Sequence, residues 1–160
     1  MDIEDLLIEV SDLLKWKKIS LATAESCTGG MLANLLTDVS GSSTYFDRGI
    51  ISYSDRSKME LLEVKQESLE KWGAVSPQVA KEMAIGIKKG AGVDIGISTT
   101  GIAGPTGGTK EKPIGLVFIG CATMNGVVVK RHRWKKDRLG NKIDSCRAAL
   151  ELILTEAKKL

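Results

Sequence analysis

A serine and a lysine are the strongest candidates for catalytic residues in this chain. Ser26 lies in the segment Glu25-Ser-Cys-Thr-Gly-Gly30, between a short apolar run and a helical pattern. A serine hydroxyl becomes nucleophilic when a base takes its proton, and a lysine whose charged form is disfavoured can act as that base. Lys58 is the candidate, and Tyr53 precedes it closely enough for a phenol and an amine to converge on one point. The alternative is that Lys58 is a solvated helix lysine.

The residues that follow Ser26 offer a rival nucleophile and a candidate anion site. Cys27 is the rival, although neighbouring residues of an extended segment point to opposite faces, so only one of the two should reach a pocket. Thr28, Gly29 and Gly30 open the next helix, where free backbone N–H groups and the helix dipole suit an anion such as phosphate. The alternative is a tight turn before a capped helix, with no ligand.

Other common chemistries find little support in the sequence. His132 is the single histidine and lies among cations in Lys130–Lys136, which disfavours a Ser-His-Asp triad. The glycines from Gly101 to Gly108 match neither the P-loop nor the dinucleotide spacing. Histidines, cysteines and carboxylates do not cluster at metal-ligand spacing, so hydrolysis by a metal-bound water is also unsupported.

Length and composition predict one domain over residues 1–160, with a core of ordinary size. The net charge of +3 is too small to indicate a nucleic-acid partner. Cys27, Cys121 and Cys146 are odd in number and widely spaced, which fits a reducing cytoplasm better than a disulfide framework or a zinc site. The acidic, amphipathic start differs from a signal peptide, and apolar runs are too short to predict a membrane segment.

The elements that must position these residues alternate between helical and strand patterns. Strands are predicted over residues 19–24, 45–53, 93–100, 114–123 and 127–134. Helices are predicted over residues 3–14 and 29–38, from about 56, from the Ser76-Pro77 start to Gly90, and over 143–160. The Asn125-Gly126 pair predicts a hairpin between the last two strands. Together the elements predict a three-layer α/β/α sandwich with a mixed, mostly parallel sheet and a late β-hairpin.

Two further segments are rich in small residues and are candidates for the same anion site. One is Gly41-Ser42-Ser43, and the other is the loop from Gly101 to Gly108, which contains Gly104. Ligands of open α/β sheets bind at the carboxyl ends of the strands. We therefore expect these two segments and the Thr28–Gly30 segment to converge at that edge.

Six motifs in order make the chain similar to a known family. They are Ala24-Glu-Ser-Cys-Thr-Gly-Gly30, Gly41-Ser-Ser43, Ser52-Tyr-Ser54 with Lys58, Gly73-Ala-Val-Ser76, Thr100-Gly-Ile-Ala-Gly-Pro105 and Gly107-Gly-Thr-Lys-Glu-Lys-Pro113. Over about residues 18–150 the chain resembles the CinA carboxyl-terminal family, whose characterised enzymes are nicotinamide mononucleotide deamidases. The resemblance implies a stand-alone amidohydrolase that acts on this nucleotide without a cofactor.

Carried over residue by residue, the resemblance implies Ser26 as nucleophile, Lys58 as general base and Tyr53 as its hydroxyl partner in the proton path. It further implies that Thr100 and Gly101 shape the substrate pocket. Arg138 matches an arginine needed for activity in a Gly-Asp-Arg element, although Lys136 stands here in place of the glycine. We also expect a homo-oligomer, a dimer. The alternatives are a non-catalytic nucleotide-binding module and a hydrolase of another small amide.

Overall fold

The computed structural model describes all 160 residues, with one five-stranded sheet and helices on both of its faces. The strands are β1 (Leu21–Glu25), β2 (Phe46–Ile51), β3 (Ile95–Gly101), β4 (Leu116–Thr123) and β5 (Gly126–Arg133). The α-helices are α1 (Ile3–Lys17), α2 (Met31–Thr37), α3 (Asp55–Leu62), α4 (Gln66–Trp72), α5 (Pro77–Ala91) and α6 (Arg138–Ala157). None of these helices is both long enough and apolar enough to cross a membrane.

The sheet is mixed, with the strand order β2-β1-β3-β4-β5. Strand β1 pairs in parallel with β2 and with β3, whereas β4 is antiparallel to both of its neighbours. Four of the five strands therefore run in one direction, and the predicted mixed, mostly parallel sheet is confirmed. The predicted hairpin is also present: Met124 and Asn125 connect β4 to β5, and Gly126 takes a φ of 115° that side-chain-bearing residues rarely adopt. The carboxyl ends of β1, β2 and β3 lie at one edge, called here the carboxyl edge.

Side chains that alternate along the strands supply two core layers, which is why both faces of the sheet carry helices. Leu21 of β1 and Ile97 of β3 belong to the larger core beneath α1, α2 and α6. Ala22 and Ala24 of β1 belong to a second core with residues of α3 and α5. The arrangement is the predicted α/β/α sandwich, and it sends alternate residues of β1 to opposite layers.

Two helix starts near the carboxyl edge follow from local sequence and confirm the predictions. The Ser54 hydroxyl accepts from the backbone N–H of Ser57 at 3.0 Å, so α3 begins at Asp55 and carries Lys58 in its first turns. The Ser76 hydroxyl accepts from Val79 at 3.2 Å, and Pro77 occupies the first position of α5. In both cases a hydroxyl satisfies an N–H group that has no partner inside the helix.

Several predicted boundaries were wrong. Helix α6 begins at Arg138 rather than Ile143, because the Asp137 carboxylate accepts from Gly140 at 2.8 Å and starts the helix five residues earlier. Helix α4 was not predicted at all; its seven residues are too few to show a clear apolar period. The second strand ends at Ile51, so Tyr53 lies in the connection to α3.

Candidate active site

Ser26 and Lys58, 32 residues apart in the chain, are in contact in the structure. Ser26 directly follows β1 at the carboxyl edge, and its backbone N–H donates to Thr99 of β3 at 2.9 Å. Lys58 lies on α3, below the same edge, and its Nζ is 3.1 Å from Ser26 Oγ. Only 1% of Lys58 is exposed, so the amine is enclosed by protein rather than solvated. The alternative of a solvated helix lysine is therefore wrong.

The surroundings of the Lys58 amine favour its neutral form. Burial lowers the pKa of Lys58, because desolvation penalises the charged ammonium, although the nearby Asp55 carboxylate acts in the opposite direction. Lys58 Nζ lies 2.8 Å from the carbonyl oxygen of Ser52 and 3.4 Å from that of Tyr53. A neutral amine has two N–H groups, which these two carbonyls can accept. Its lone pair is then left for the hydroxyl proton of Ser26.

Cys27 takes the opposite side of the chain from Ser26, as the alternation of an extended segment predicts. It is buried in the larger core, beneath α2 and α6. Burial raises the pKa of its thiol to about 12, so the nucleophilic thiolate is scarcely populated at neutral pH. Ser26 is accordingly the better placed of the two candidate nucleophiles.

Glu25 holds the segment that carries Ser26, a role that the sequence analysis missed. Its carboxylate is buried and accepts from the Thr28 hydroxyl at 2.6 Å and from the backbone N–H groups of Leu32 and Ala33 at 2.8 and 3.0 Å. Gly30 precedes α2 and makes no side-chain cap, so Glu25 supplies the missing cap from the end of β1. An acidic residue just before a helix that opens with two glycines is the signal that could have revealed it.

The Glu25 carboxylate already accepts from donors that were predicted to bind an anion at Thr28, Gly29 and Gly30. The Thr28 hydroxyl is committed to Glu25 and Thr99, and two N–H groups of the first turn of α2 already have an anionic partner. The backbone N–H groups of Thr28 and Gly30 make no hydrogen bond within the chain. Thr28 is fully buried, so this segment does not present an open helix N-terminus to a ligand.

We expect the substitution Glu25→Gln to destabilise the protein, because an amide has only one acceptor oxygen and places an N–H₂ group against a backbone donor. One buried donor left without an acceptor should lower the free energy of unfolding by about 1–3 kcal/mol. Urea denaturation followed by circular dichroism measures this change. The control is Glu60→Gln, which alters an exposed carboxylate paired with Arg56 and should change the free energy by no more than about half a kcal/mol. Equal effects of the two substitutions would show that Glu25 does not hold this segment.

Tyr53 and Arg138 meet at the mouth of the site, although 85 residues separate them. Arg138 donates to the Tyr53 hydroxyl at 3.2 Å and to the carbonyl of Gly104 at 2.8 Å. Only the backbone carbonyl of Tyr53 contacts Lys58, so the predicted contact between its hydroxyl and the Lys58 amine is absent. Tyr53 lies beyond the end of β2 with its ring largely exposed, whereas its carbonyl is turned towards the buried amine.

A cavity of about 200 Å³ opens at the carboxyl edge over these residues. Its lining is contributed by the ends of β1 and β3, by α3, by the α4–α5 connection and by the start of α6: Ser26, Cys27, Tyr53, Asp55, Lys58, Ala74, Val75, Thr100, Gly101, Ala103 and Arg138. The Thr100 hydroxyl donates to Ala74 at 2.8 Å, so it joins two walls of the cavity. Gly104 contributes its carbonyl to Arg138 instead of lining the cavity.

Ser42 and Ser43 lie near the amino end of β2, on the side of the sheet away from the carboxyl edge. The prediction that they join the same site is therefore wrong for a single chain. They form a short 3-10 turn, followed by Tyr45, whose carbonyl accepts from Leu21 at the start of β1. The seven residues of α2 carry the chain about 10 Å, from the carboxyl edge to the amino edge. A sequence motif alone does not show at which edge such a turn lies.

The fold and the site define an α/β protein with a buried serine–lysine pair at the carboxyl edge of a mixed sheet. Clusters of three or more histidine, cysteine or acidic side chains able to hold a metal are absent from the structure. The family model described as the CinA C-terminal domain matches residues 3–157. The chain belongs to the CinA C-terminal domain family.

Relatives and solved structures agree with this assignment. The chain is 43% identical over 155 residues to the nicotinamide-nucleotide amidohydrolase PncC of Enterobacter agglomerans, covering 96% of this chain and 94% of that protein. It is 48% identical over 153 residues to a putative competence-damage inducible protein of Thermoanaerobacter pseudethanolicus, of which it spans only 37%. The structure of the competence/damage inducible protein CihA from Agrobacterium tumefaciens superimposes with a TM-score of 0.94 at 38% identity, covering 97% of this chain and 95% of that one. The structure of a CinA superfamily protein from Klebsiella pneumoniae superimposes with a TM-score of 0.96 at 31% identity, with complete coverage of both chains.

Proposed function

We propose that this chain is an amidohydrolase that converts nicotinamide mononucleotide to nicotinate mononucleotide and ammonia. The observation that carries the proposal is the contact between Ser26 Oγ and the buried amine of Lys58. Similarity over nearly the full length of a nicotinamide-nucleotide amidohydrolase supports the choice of substrate. The proposed reaction requires neither a metal nor an organic cofactor. A cytoplasmic location and a homodimer remain predictions.

In the proposed reaction Ser26 forms an acyl-enzyme with the carboxamide. Lys58 Nζ takes the hydroxyl proton as Ser26 Oγ bonds to the carboxamide carbon, and the negative charge collects on the former carbonyl oxygen. Cys27 follows Ser26 and lines the cavity, and its backbone N–H group, which has no partner in the chain, is a donor that can stabilise this oxyanion. The ammonium of Lys58 then returns its proton to the departing nitrogen, which leaves as ammonia.

Hydrolysis of the acyl-enzyme follows the same proton route in reverse. A water molecule loses a proton to Lys58 as it bonds to the acyl carbon, and the carbon–oxygen bond to Ser26 then breaks. Ser26 recovers its proton from Lys58, and the product forms as a carboxylic acid, which loses its remaining proton to water and leaves as nicotinate mononucleotide. Arg138, which has only neutral acceptors in the chain, is the cation of the cavity wall that would meet an anionic substrate or product.

The direct test is ammonia release from nicotinamide mononucleotide, with the product identified by liquid chromatography. We expect turnover in the presence of a chelator at the same rate as in its absence. Nicotinamide, nicotinamide riboside, glutamine and asparagine test the range of amides. Binding of the nucleotide without ammonia release would indicate a non-catalytic binding module, and faster turnover of a different amide would indicate another amidohydrolase.

A further inference from the structure

We propose that Lys142, together with Arg138, forms the binding site for the phosphate group of the substrate. This inference rests on the proposed function, since it concerns where the anionic end of that nucleotide lies. The sequence pattern alone favours the N-terminus of α2 and the small-residue loops as the phosphate site. The structure assigns it instead to the face of α6 that borders the cavity.

The size of the cavity leaves the phosphate at its mouth. About 200 Å³ is smaller than the roughly 300–1,000 Å³ of cavities that enclose a drug-sized ligand. The carboxamide must reach Ser26 at the inner end, because the bond to be broken lies next to the nucleophile. The ring therefore fills the cavity, and the ribose and phosphate extend past its rim.

Lys142 lies outside the residues that line the cavity, next to Gly29 of the Ser26 segment, and it has no internal partner. It follows Arg138 by four residues, so both side chains lie on the same face of α6. Its Nζ is 3.6 Å from the point where a Cβ on Gly29 would stand. Lys142 is half-buried, yet it forms no ion pair with any acidic side chain.

Two carboxylates limit where else the phosphate can bind. Glu25 already accepts from the first-turn N–H groups of Leu32 and Ala33, so α2 has fewer free donors for a phosphate dianion than an uncapped helix would have. Asp55 lines the cavity on the α3 side. Its negative charge repels phosphate, whereas its carboxylate oxygens can accept hydrogen bonds from ribose hydroxyls. The rim is thus acidic on the α3 side and basic on the α6 side, which orients an anionic substrate towards Arg138 and Lys142.

The test compares nicotinamide mononucleotide with nicotinamide riboside, which lacks the phosphate, in wild type, Lys142→Met, Lys142→Arg and Lys81→Met. In Lys142→Met we expect kcat/KM for the mononucleotide to fall about 10- to 100-fold, mainly through KM, and the preference for the mononucleotide over the riboside to fall with it. Lys142→Arg keeps a cation and should retain most of the preference. Lys81→Met removes the same charge from an exposed position on α5 and should leave kcat/KM for both substrates unchanged.

Inorganic phosphate provides a second readout. It should compete with the mononucleotide in wild type and compete less well in Lys142→Met. An unchanged preference between the two substrates, or unchanged inhibition by phosphate, would overturn the assignment of Lys142. If wild type releases ammonia from neither substrate, the proposed function fails, but the phosphate site can still be judged from thermal unfolding. A smaller phosphate-dependent rise in Tm for Lys142→Met than for wild type would support the site, and equal rises would overturn it.

Discussion

Replacing Ser26 with alanine should reduce ammonia release from nicotinamide mononucleotide to the level measured without enzyme. The substitution removes the one atom that is proposed to bond to the carboxamide carbon, and water at that position lacks the fixed orientation of Oγ. The fold should persist, because the backbone bond from Ser26 to Thr99 does not involve the hydroxyl. Steady-state kinetics measure the rate, while calorimetric titration with the mononucleotide should show that binding is retained.

The matched control for Ser26→Ala is Cys27→Ala at the adjacent position. Cys27 faces the larger core and its thiol has a pKa of about 12, so its loss should lower stability modestly and leave turnover close to that of wild type. If Cys27→Ala alone abolished ammonia release, the cysteine would be the nucleophile. Near-normal turnover of Ser26→Ala would reject the serine mechanism.

Replacing Lys58 with methionine should lower the rate of the chemical step by about 10² to 10⁴, the range typical of a positioned acid–base group. Methionine has a similar length and fills the buried space, but it cannot take the proton of Ser26. Single-turnover measurements separate this step from product release. No other basic side chain contacts Ser26 Oγ in the structure, so a rate within a few-fold of wild type would reject proton transfer from Ser26 to Lys58.

The pH dependence of Lys58 offers an independent check. The native pKa is lowered by burial, so the unfolded chain binds more protons than the folded protein between that lowered value and the ordinary value of 10.5. The free energy of unfolding of wild type should therefore rise with pH across this window, relative to that of Lys58→Met. Activity should rise with pH through the same lowered pKa, because the base must be neutral. If the free energies of unfolding of the two proteins changed in parallel with pH, the pKa of Lys58 would not be lowered in the folded protein.

Local sequence was sufficient for the order of all elements except α4 and for most of their starts. Ser54 and Ser76 each precede a helix and satisfy one of its free N–H groups, and Asn125-Gly126 provides the tight turn of a hairpin. Such signals act over a few residues, so they can be read without the fold. The same is true of the alternation that sends Ser26 and Cys27 to opposite layers.

Other features depended on which distant segments the topology brings together. The contact of Ser26 with Lys58 requires α3 to pack beneath the carboxyl edge, and the pKa of Lys58 falls only because that packing excludes water. Likewise, Arg138 reaches Tyr53 from the other end of the chain.

The proposed position of the phosphate site illustrates the same limit of local sequence. Thr28–Gly30 and Ser42–Ser43 both have the composition of anion-binding turns. Whether a turn is free to bind depends on its partners and on the edge at which it lies. Glu25 already caps the first turn of α2, and the length of α2 carries Ser42 and Ser43 to the opposite edge of the sheet. Hydrogen-bond partners and helix lengths in three dimensions decided both outcomes, because composition is a property of a short segment whereas partnership is a property of the packed chain.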